Sequence, residues 1–281
     1  FMTTTAHYSD LVLPAAMPWE AEDYDKSGFM SQKAIEPCGE ALPDWDIIKG
    51  IADAMGLDDV LPWTQEEALR RILDTSKNTA AGLGYDTYHE KGYVLGEYSD
   101  PETVSGEYNA LGRTQFYLEE LPPRDNYGQT IGLEDRLPSY KVSREAYKDN
   151  PDRAKYPLYG FSNHDMYHGQ SVWAHNAWLD NFRTVEGKPF CRISEKAAAE
   201  RGIVTGDTVR VFNDHGECVL KALVTKGIRE DSLWVPHGFY WDEFIAGTAQ
   251  NLTGPYADAV TSNSNFNDWI CQVEKYEGVE E

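Results

Sequence analysis

Ala198-Ala199-Glu200-Arg201-Gly202-Ile203-Val204-Thr205-Gly206-Asp207-Thr208-Val209-Arg210-Val211-Phe212-Asn213-Asp214-His215-Gly216-Glu217 carries a helix end, a tight turn and the opening of a hairpin in one short stretch. Just upstream, Ser194 is placed to cap a helix running through Glu195 and Ala197 to Arg201, and Gly202 ends it. Gly206-Asp207 then supplies a turn. Val209 and Val211 alternate with polar neighbours, the period of a strand with one buried face. Asn213-Asp214-His215-Gly216 supplies turn residues between two β-rich runs, which predicts a hairpin.

The same grammar extends on both sides. Short strands are expected at Pro157 to Phe161, Phe190 to Ile193, Asp207 to Phe212, Glu217 to Thr225, Leu233 to Val235 and Trp269 to Val273. Six such strands suit a small closed barrel. Toward the N-terminus the pattern changes. Asp10 to Leu13 is a short apolar run stopped by Pro14, and Asp44 to Gly56 reads as a helix with Trp45, Ile48, Ile51 and Met55 on one stripe, capped by Asp44 and closed by Gly56. A second helix is expected from Thr64 to about Asp74, because Thr64 and Glu67 form a capping box. Ala80 to Arg153 is rich in Gly, Pro, Tyr and Asp with little sustained period, so it reads as irregular connection with short strands.

The expected fold is therefore mixed α/β and β: the remnant of an α/β domain, then a six-stranded β-barrel. Residues 1–62 form the first part, 63–153 the connecting segment, 154–276 the barrel and 277–281 a tail. The opening lacks a cap or turn before its first strand, which reads as a start inside a larger domain.

Composition excludes several classes. The 281 residues hold 25 Lys plus Arg against 47 Asp plus Glu, a formal charge of -22 that repels phosphate backbones and anionic headgroups. Nucleic acid is not an expected partner. No apolar run approaches a membrane span, so direct membrane insertion is not expected either. Cys38, Cys191, Cys218 and Cys271 are scattered without short spacing, so no zinc site, iron–sulfur cage or disulfide framework is written here.

Several ordered motifs together resemble the catalytic subunits of the dimethyl sulfoxide reductase family of molybdopterin oxidoreductases. Phe1-Met2-Thr3-Thr4-Thr5-Ala6-His7-Tyr8-Ser9-Asp10-Leu11-Val12-Leu13-Pro14-Ala15 is similar to a family segment running through Thr-Ala into a Leu-Pro strand end. Trp19-Glu20-Ala21-Glu22-Asp23, Lys33-Ala34-Ile35-Glu36-Pro37 and Pro43-Asp44-Trp45 keep its order. The stretch from Ala198 to Glu217 resembles the family's dinucleotide-binding barrel, of double-psi type, and Gly247 to Thr253 and Val273-Glu274-Lys275 fall where that barrel has them. The resemblance covers roughly residues 1 to 56 and 110 to 276.

The resemblance implies a bis-molybdopterin guanine dinucleotide carrying molybdenum or tungsten, which exchanges an oxygen atom with substrate while iron–sulfur clusters pass electrons. The metal ligand and cluster cysteines belong to earlier parts of the family pattern, so no catalytic residue is assigned, and an iron–sulfur cluster is expected only in a preceding part of the same polypeptide. Expected partners are that remaining part, a membrane anchor and an iron–sulfur electron-transfer subunit, as in anaerobic respiration; the parent enzyme is periplasmic or cytoplasmic.

Gln170-Ser171-Val172-Trp173-Ala174-His175-Asn176-Ala177-Trp178-Leu179 resembles the family loop that touches the dinucleotide. Ser171, Asn176 and Trp178 match it, whereas Gln170 and His168 stand where the family has His and Arg. Gln170, Ser171, Trp173, His175, Asn176, Asn251 and Asn267 are thus the candidate cofactor contacts, with phosphates held by backbone N–H groups and neutral side chains. Each has a plainer reading. Ser171, Asn176 and Asn251 suit capping or Asx turns, Trp173, Trp178, Trp241 and Trp269 suit a core, and His164, His168 and His175 could ligate a metal. Two other functions stay open: a non-catalytic β-barrel binding or assembly module, and a self-contained barrel hydrolase or decarboxylase.

Overall fold

The computed structural model describes residues 1–25, 29–93, 116–120, 130–138, 140–257 and 263–278. Parts of the expected connecting segment (94–115 and 121–129) and of the tail (279–281) lie outside the described residues. Two compact units result, Tyr8–Thr114 and Phe1–His7 with Gln115–Glu281. The terminal turn Thr4–His7 (α1) belongs to the second unit, where the His7 ring stacks on Trp241 at 3.7 Å between centroids.

In the first unit an antiparallel pair, Asp23–Asp25 (β1) and Phe29–Ser31 (β2), precedes helices Asp44–Ala54 (α2), Gln65–Leu73 (α3), Ser76–Ala80 (α4) and Tyr85–Lys91 (α5). The capping box at the head of α3 forms as expected: the Glu67 N–H donates to Thr64 Oγ1, and the Thr64 N–H donates to Glu67 Oε2. The small core is Met30 of β2 with Leu69, Leu73, Tyr85 and Tyr88.

Three local expectations are corrected. Asp10–Leu13 is not a strand; Leu11, Val12 and Leu13 are exposed, and this part of the chain makes only the bridge Ala15↔Leu42 among the described residues. A strand needs a neighbour for its N–H and C=O groups, and the apolar run finds none there. Asp44 lies inside α2 rather than capping it, because Pro43 occupies the N-cap without a side-chain hydrogen bond. Tyr85–Lys91, expected as irregular, is helical because Tyr85 and Tyr88 fall on one face and bury together.

In the second unit all six expected strands form: Leu158–Phe161 (β3), Phe190–Ser194 (β4), Thr208–Phe212 (β5), Glu217–Thr225 (β6), Ser232–Trp234 (β7) and Asn267–Lys275 (β9), with the short Ala246–Gly247 (β8) added on β6. The order β4-β7-β3-β9-β5-β6 closes on itself through a parallel β4–β6 pairing, so the six strands make a barrel. A second parallel pair joins β3 and β7, and the remaining pairs are antiparallel. Closure removes the free edges that an open sheet of this size would expose. The mixed α/β fold with a closed six-stranded barrel is as the sequence predicts.

Inward positions alternate, and Cys191, Ile193, Val209, Val211, Leu220, Leu233, Cys271 and Val273 fill the interior. Trp269 lies across the inner face of Gly160, where a Cβ would overlap its six-membered ring. Two helices flank β4, Ala177–Arg183 (α6) before it and Glu195–Ala199 (α7) after it. The second is capped as expected by Ser194, whose Oγ accepts from the Ala197 N–H at 3.1 Å.

Candidate cofactor-binding site

Strand directions decide where a site can lie. Phe161 at the end of β3 pairs with Asn267 at the start of β9, while the Asn213–Gly216 turn lies beside Ile270 through the Asn213 Nδ2 hydrogen bond to its carbonyl. The segments after β3, β5 and β7 and those before β4 and β9 therefore emerge at one mouth of the barrel. All seven candidate residues are carried there.

The segment after β3, residues 162–176, covers part of this mouth and leads into α6. Gln170, Trp173 and His175 all have positive φ (58°, 73° and 55°) although none is glycine. Each such residue costs of order 1 kcal/mol or more and persists only where surroundings over-determine it. Those surroundings are identifiable. The Gln170 carbonyl lies against Gly238 (φ 92°), where any Cβ would overlap it. Glu243 accepts from the His175 N–H at 3.4 Å and from the Tyr240 N–H at 2.7 Å.

The hub is Arg183, at the last turn of α6, whose side chain is fully buried. It donates to Asp180 Oδ1 at 2.7 Å and Glu243 Oε1 at 3.3 Å, contacts His168 Nδ1, and lies 5.1 Å from the Phe239 ring centroid. An arginine has no acceptor, so it must donate to His168 Nδ1, which fixes the His168 proton on Nε2. Burial pushes the His168 imidazole below its ordinary value, with the Arg183 charge acting in the same direction. His168 Nε2 turns toward the Gly238 backbone without making a hydrogen bond of ordinary geometry.

A cleft of about 580 Å³ opens beside this network, lined in part by His164, Asp165, His168, Trp173, Asn176 and Trp178. Trp173 is 58% and Trp178 is 88% exposed, so these two do not serve as core; Trp269, at 0%, does. Asp165 is buried, its Oδ2 accepting from Arg192 Nη2 at 2.7 Å and its Oδ1 from the Tyr167 N–H at 3.2 Å. Behind His164, the His237 ring packs edge-on at 4.7 Å. Both His237 nitrogens and Ser162 Oγ are buried without a hydrogen-bond partner, and burial lowers the His237 pKa.

The candidates divide by what holds them. Gln170, Ser171, Trp173, His175 and Asn176 share the one loop. Asn176 also caps α6, accepting from the Trp178 N–H at 3.1 Å, so its oxygen has the plainer role and its NH₂ is left as the donor for a ligand. Asn267 sits at the loop's root, accepting from the Ser162 N–H at 2.9 Å. Asn251 accepts from Thr248 Oγ1 at 3.1 Å and packs against Gly216 and Gly247, away from the loop. The Ser171 and Trp173 N–H groups make no hydrogen bond within the chain among the described residues, which leaves two main-chain donors on a left-handed turn, a geometry suited to anions. His164, His168 and His175 form no metal-holding group among the described residues.

Sequence reasoning missed Asp165, Arg183, Gly238 and Glu243. Only Gly238 carried a signal, in the turn-like run Pro236-His237-Gly238.

A molybdopterin dinucleotide could be held by this mouth on two observations: polar atoms of Ser162, His168 and His237 buried without partners, and a glycine-backed loop presenting N–H donors. Comparison with known proteins points the same way. Residues 158–270, from β3 into β9, match the family model described as molydopterin dinucleotide binding domain, and residues 1–54 match that described as molybdopterin oxidoreductase. The chain is 28% identical over 285 residues to a protein of Halobacterium salinarum assigned as the catalytic polypeptide of a dimethyl sulfoxide reductase, covering 98% of this chain and 32% of that one. It is 28% identical over 269 residues to the thiosulfate reductase molybdopterin-containing subunit PhsA of Salmonella typhimurium, covering 85% and 33%. In fold it is similar to acetylene hydratase from Pelobacter acetylenicus, with a TM-score of 0.72 at 22% identity over 98% of this chain and 39% of that chain. The chain spans about a third of the length of these curated relatives. By these matches and by its closed barrel, the chain belongs to the dimethyl sulfoxide reductase family of molybdopterin oxidoreductases.

Proposed function

We propose that this chain forms one wall of a bis-molybdopterin guanine dinucleotide site, in the catalytic subunit of an anaerobic respiratory reductase whose remaining part carries the metal ligand and an iron–sulfur cluster. A membrane anchor and an iron–sulfur electron-transfer subunit complete the complex. When bound, the cofactor supplies two-electron redox chemistry at molybdenum or tungsten. The residues of this chain bind and orient. Ser171 and Trp173 offer main-chain N–H donors to phosphate oxygens, and the Asn176, Asn251 and Asn267 carboxamides offer neutral donors at the same mouth. Gln170 and His175 act through backbone shape, setting the left-handed turns that aim those donors.

The observation that carries this reading is the loop 162–176, strained at Gln170, Trp173 and His175 and tied down by Arg183 and Gly238. Strain held this firmly suits a preorganised binding site. The reductase assignment draws support from the names of the 28%-identical relatives, one a thiosulfate reductase subunit.

The test is retention of extracted molybdopterin guanine dinucleotide by the purified chain, followed by pterin fluorescence after gel filtration. Retention without reduced-dye turnover of a sulfoxide is expected. Turnover by the chain alone would contradict the one-wall reading, and failure to retain the dinucleotide would favour an assembly module that never meets a pterin.

A further inference from the structure

We propose that the fold of the Tyr8–Thr114 unit is conditional on salt: it closes when monovalent cations at about molar concentration screen its carboxylates, and it opens in dilute buffer while the barrel unit stays folded. The inference is independent of what the barrel binds.

The two units carry the negative charge unequally. Tyr8–Thr114 holds 21 acidic against 8 basic residues, a net charge of -13 over 107 residues. The second unit holds 26 against 17, a net charge of -9 over 174 residues. Self-repulsion grows with the square of the net charge and falls with size, so the smaller unit bears by far the stronger repulsion. What opposes it is slight. The core cluster of that unit is five residues, Met30, Leu69, Leu73, Tyr85 and Tyr88, against twenty in the barrel. Helix α2 buries no residue at all, and its Ile48, Ile51 and Met55 are exposed. A chain segment with high net charge and little apolar burial lies near the limit of what folds.

The contact between α3 and α5 shows the same imbalance at atomic scale. Leu69 and Leu73 of α3 cluster with Tyr85 and Tyr88 of α5. Beside them Arg70, 4.2 Å from the Tyr85 ring centroid, is shared by three carboxylates: Glu66 at 2.8 Å, Asp86 at 2.9 Å and Asp74 at 3.7 Å. One cation among three anions leaves a local surplus of negative charge. Glu40, Asp44, Asp46, Asp58 and Asp59 are exposed, with no side-chain partner among the described residues. Salt weakens attraction and repulsion alike, so the sign follows from which is in excess. Exposed ion pairs contribute little to begin with, whereas the unpaired like charges act across the whole unit. Shortening the Debye length from about 10 Å at 0.1 M to about 3 Å at 1 M removes the long-range repulsion and spares close contacts such as Arg70–Glu66.

Peptide-resolved hydrogen exchange of the whole chain in about 0.05 M and about 3 M KCl tests this. Amides of α3 and α5 should be at least about tenfold better protected in the concentrated salt, with β4 and β6 within about twofold of each other in the two buffers. NaCl and choline chloride at equal ionic strength should act like KCl, because screening does not select the cation; a response to one cation alone would overturn the proposal in favour of a specific ion site. Sucrose at matched water activity should protect α3 and α5 less than KCl does, and equal protection would show that burial, not charge, is limiting. Glu40→Gln with Asp58→Asn and Asp59→Asn, all at exposed turn positions, takes the unit from -13 to -10 and removes about two fifths of a repulsion that scales as charge squared. The KCl midpoint for closing should fall at least about 1.5-fold in this variant. An unmoved midpoint, or α3 and α5 equally protected or equally open at both salt concentrations in the wild type, overturns the proposal.

Discussion

The Gln170 carbonyl lies directly against the α-carbon of Gly238, in space that a Cβ at position 238 would occupy. Gly238 follows strand β7 and Gln170 sits mid-loop after β3, so this contact docks one mouth segment on another. Gly238 also holds φ 92°, which an L side chain rarely adopts. Gly238→Ala is therefore expected to cost more than about 1 kcal/mol and to lift the 162–176 loop. Urea unfolding gives the first quantity, and amide exchange across residues 168–176 gives the second. Exchange rates unchanged from wild type would show that this contact does not hold the loop.

Arg183 fixes the same loop from the other side. Its side chain is wholly buried, so truncation leaves Glu243 and Asp180 without their cation and frees His168 Nδ1. Arg183→Met should destabilise the barrel unit by about 3–5 kcal/mol, most of it the penalty of an uncompensated Glu243. The double variant Arg183→Met with Glu243→Gln should recover part of that loss, because it removes the stranded charge as well. An additive double-mutant cycle would show that the two residues do not act together.

How far these features could be read in advance depends on how local their cause is. The alternation of Val209 and Val211, and the Asn213–Gly216 turn, reflect side-chain facing and turn chemistry within a few residues, so the barrel strands were legible. Thr64 and Glu67 announced their capping box for the same reason. The parallel β4–β6 closure joins residues such as Ile193 and Val224, with a helix and a strand between them, and leaves no local mark. Asp10–Leu13 misled because an apolar run specifies burial or pairing without saying with what. At the site, the loop's composition pointed to Ser171 and Asn176, but left-handed Gln170, Trp173 and His175 are not glycines and carry no signal. Arg183 reads as one more helical charge until Asp180, His168 and Glu243 are brought around it.

Two histidines give the barrel unit a pH dependence whose sign follows from burial. His168 and His237 both have pKa values lowered in the folded state, chiefly by desolvation. Their neutral forms are thus favoured by folding, and the unfolded chain binds more protons once the pH drops toward its ordinary value, about 6.5. Stability contributed by these groups is complete above about pH 6.5, declines as the pH falls below it, and levels off beneath the folded-state values. His168→Gln should flatten the slope of unfolding free energy against pH between about 6.5 and 5. A slope identical to wild type would mean that His168 is not held neutral by its surroundings.

Gly160 and Trp269 couple the loop's root to the barrel core. A methyl group at 160 would overlap the indole, which is 0% exposed and anchored by its Nε1–H donating to the Phe266 carbonyl at 3.1 Å. The chain also carries a register shift here, with Asp268 at φ 64°, so the bulge and the glycine together admit the ring. Gly160→Ala is expected to lower stability by at least about 1–3 kcal/mol through overpacking. Adding Trp269→Leu should restore part of it despite the smaller core residue, because the clash disappears. Calorimetry of the two variants would decide this, and a double variant no better than the sum of its parts would remove the proposed steric conflict.

Barrel closure can be followed through its thiols. Cys191, Cys218 and Cys271 lie on inward positions of β4, β6 and β9, each 0% exposed, whereas Cys38 is exposed. Burial pushes the Cys191 thiol up to about 12 and raises Cys218 and Cys271 as well. The thiolate is the reactive form, so at pH 8 Cys191 would be about one part in ten thousand ionised even if reagent could reach it. Native protein should therefore give one fast equivalent with an aromatic disulfide reagent, from Cys38, and the remaining three only on unfolding. Because the three thiols sit on separate strands of the closed ring, their exposure measures opening of the whole barrel, not fraying of one edge. Staggered reaction of Cys191, Cys218 and Cys271 at low denaturant would show that the ring opens strand by strand; simultaneous reaction is what closure through β4 and β6 requires.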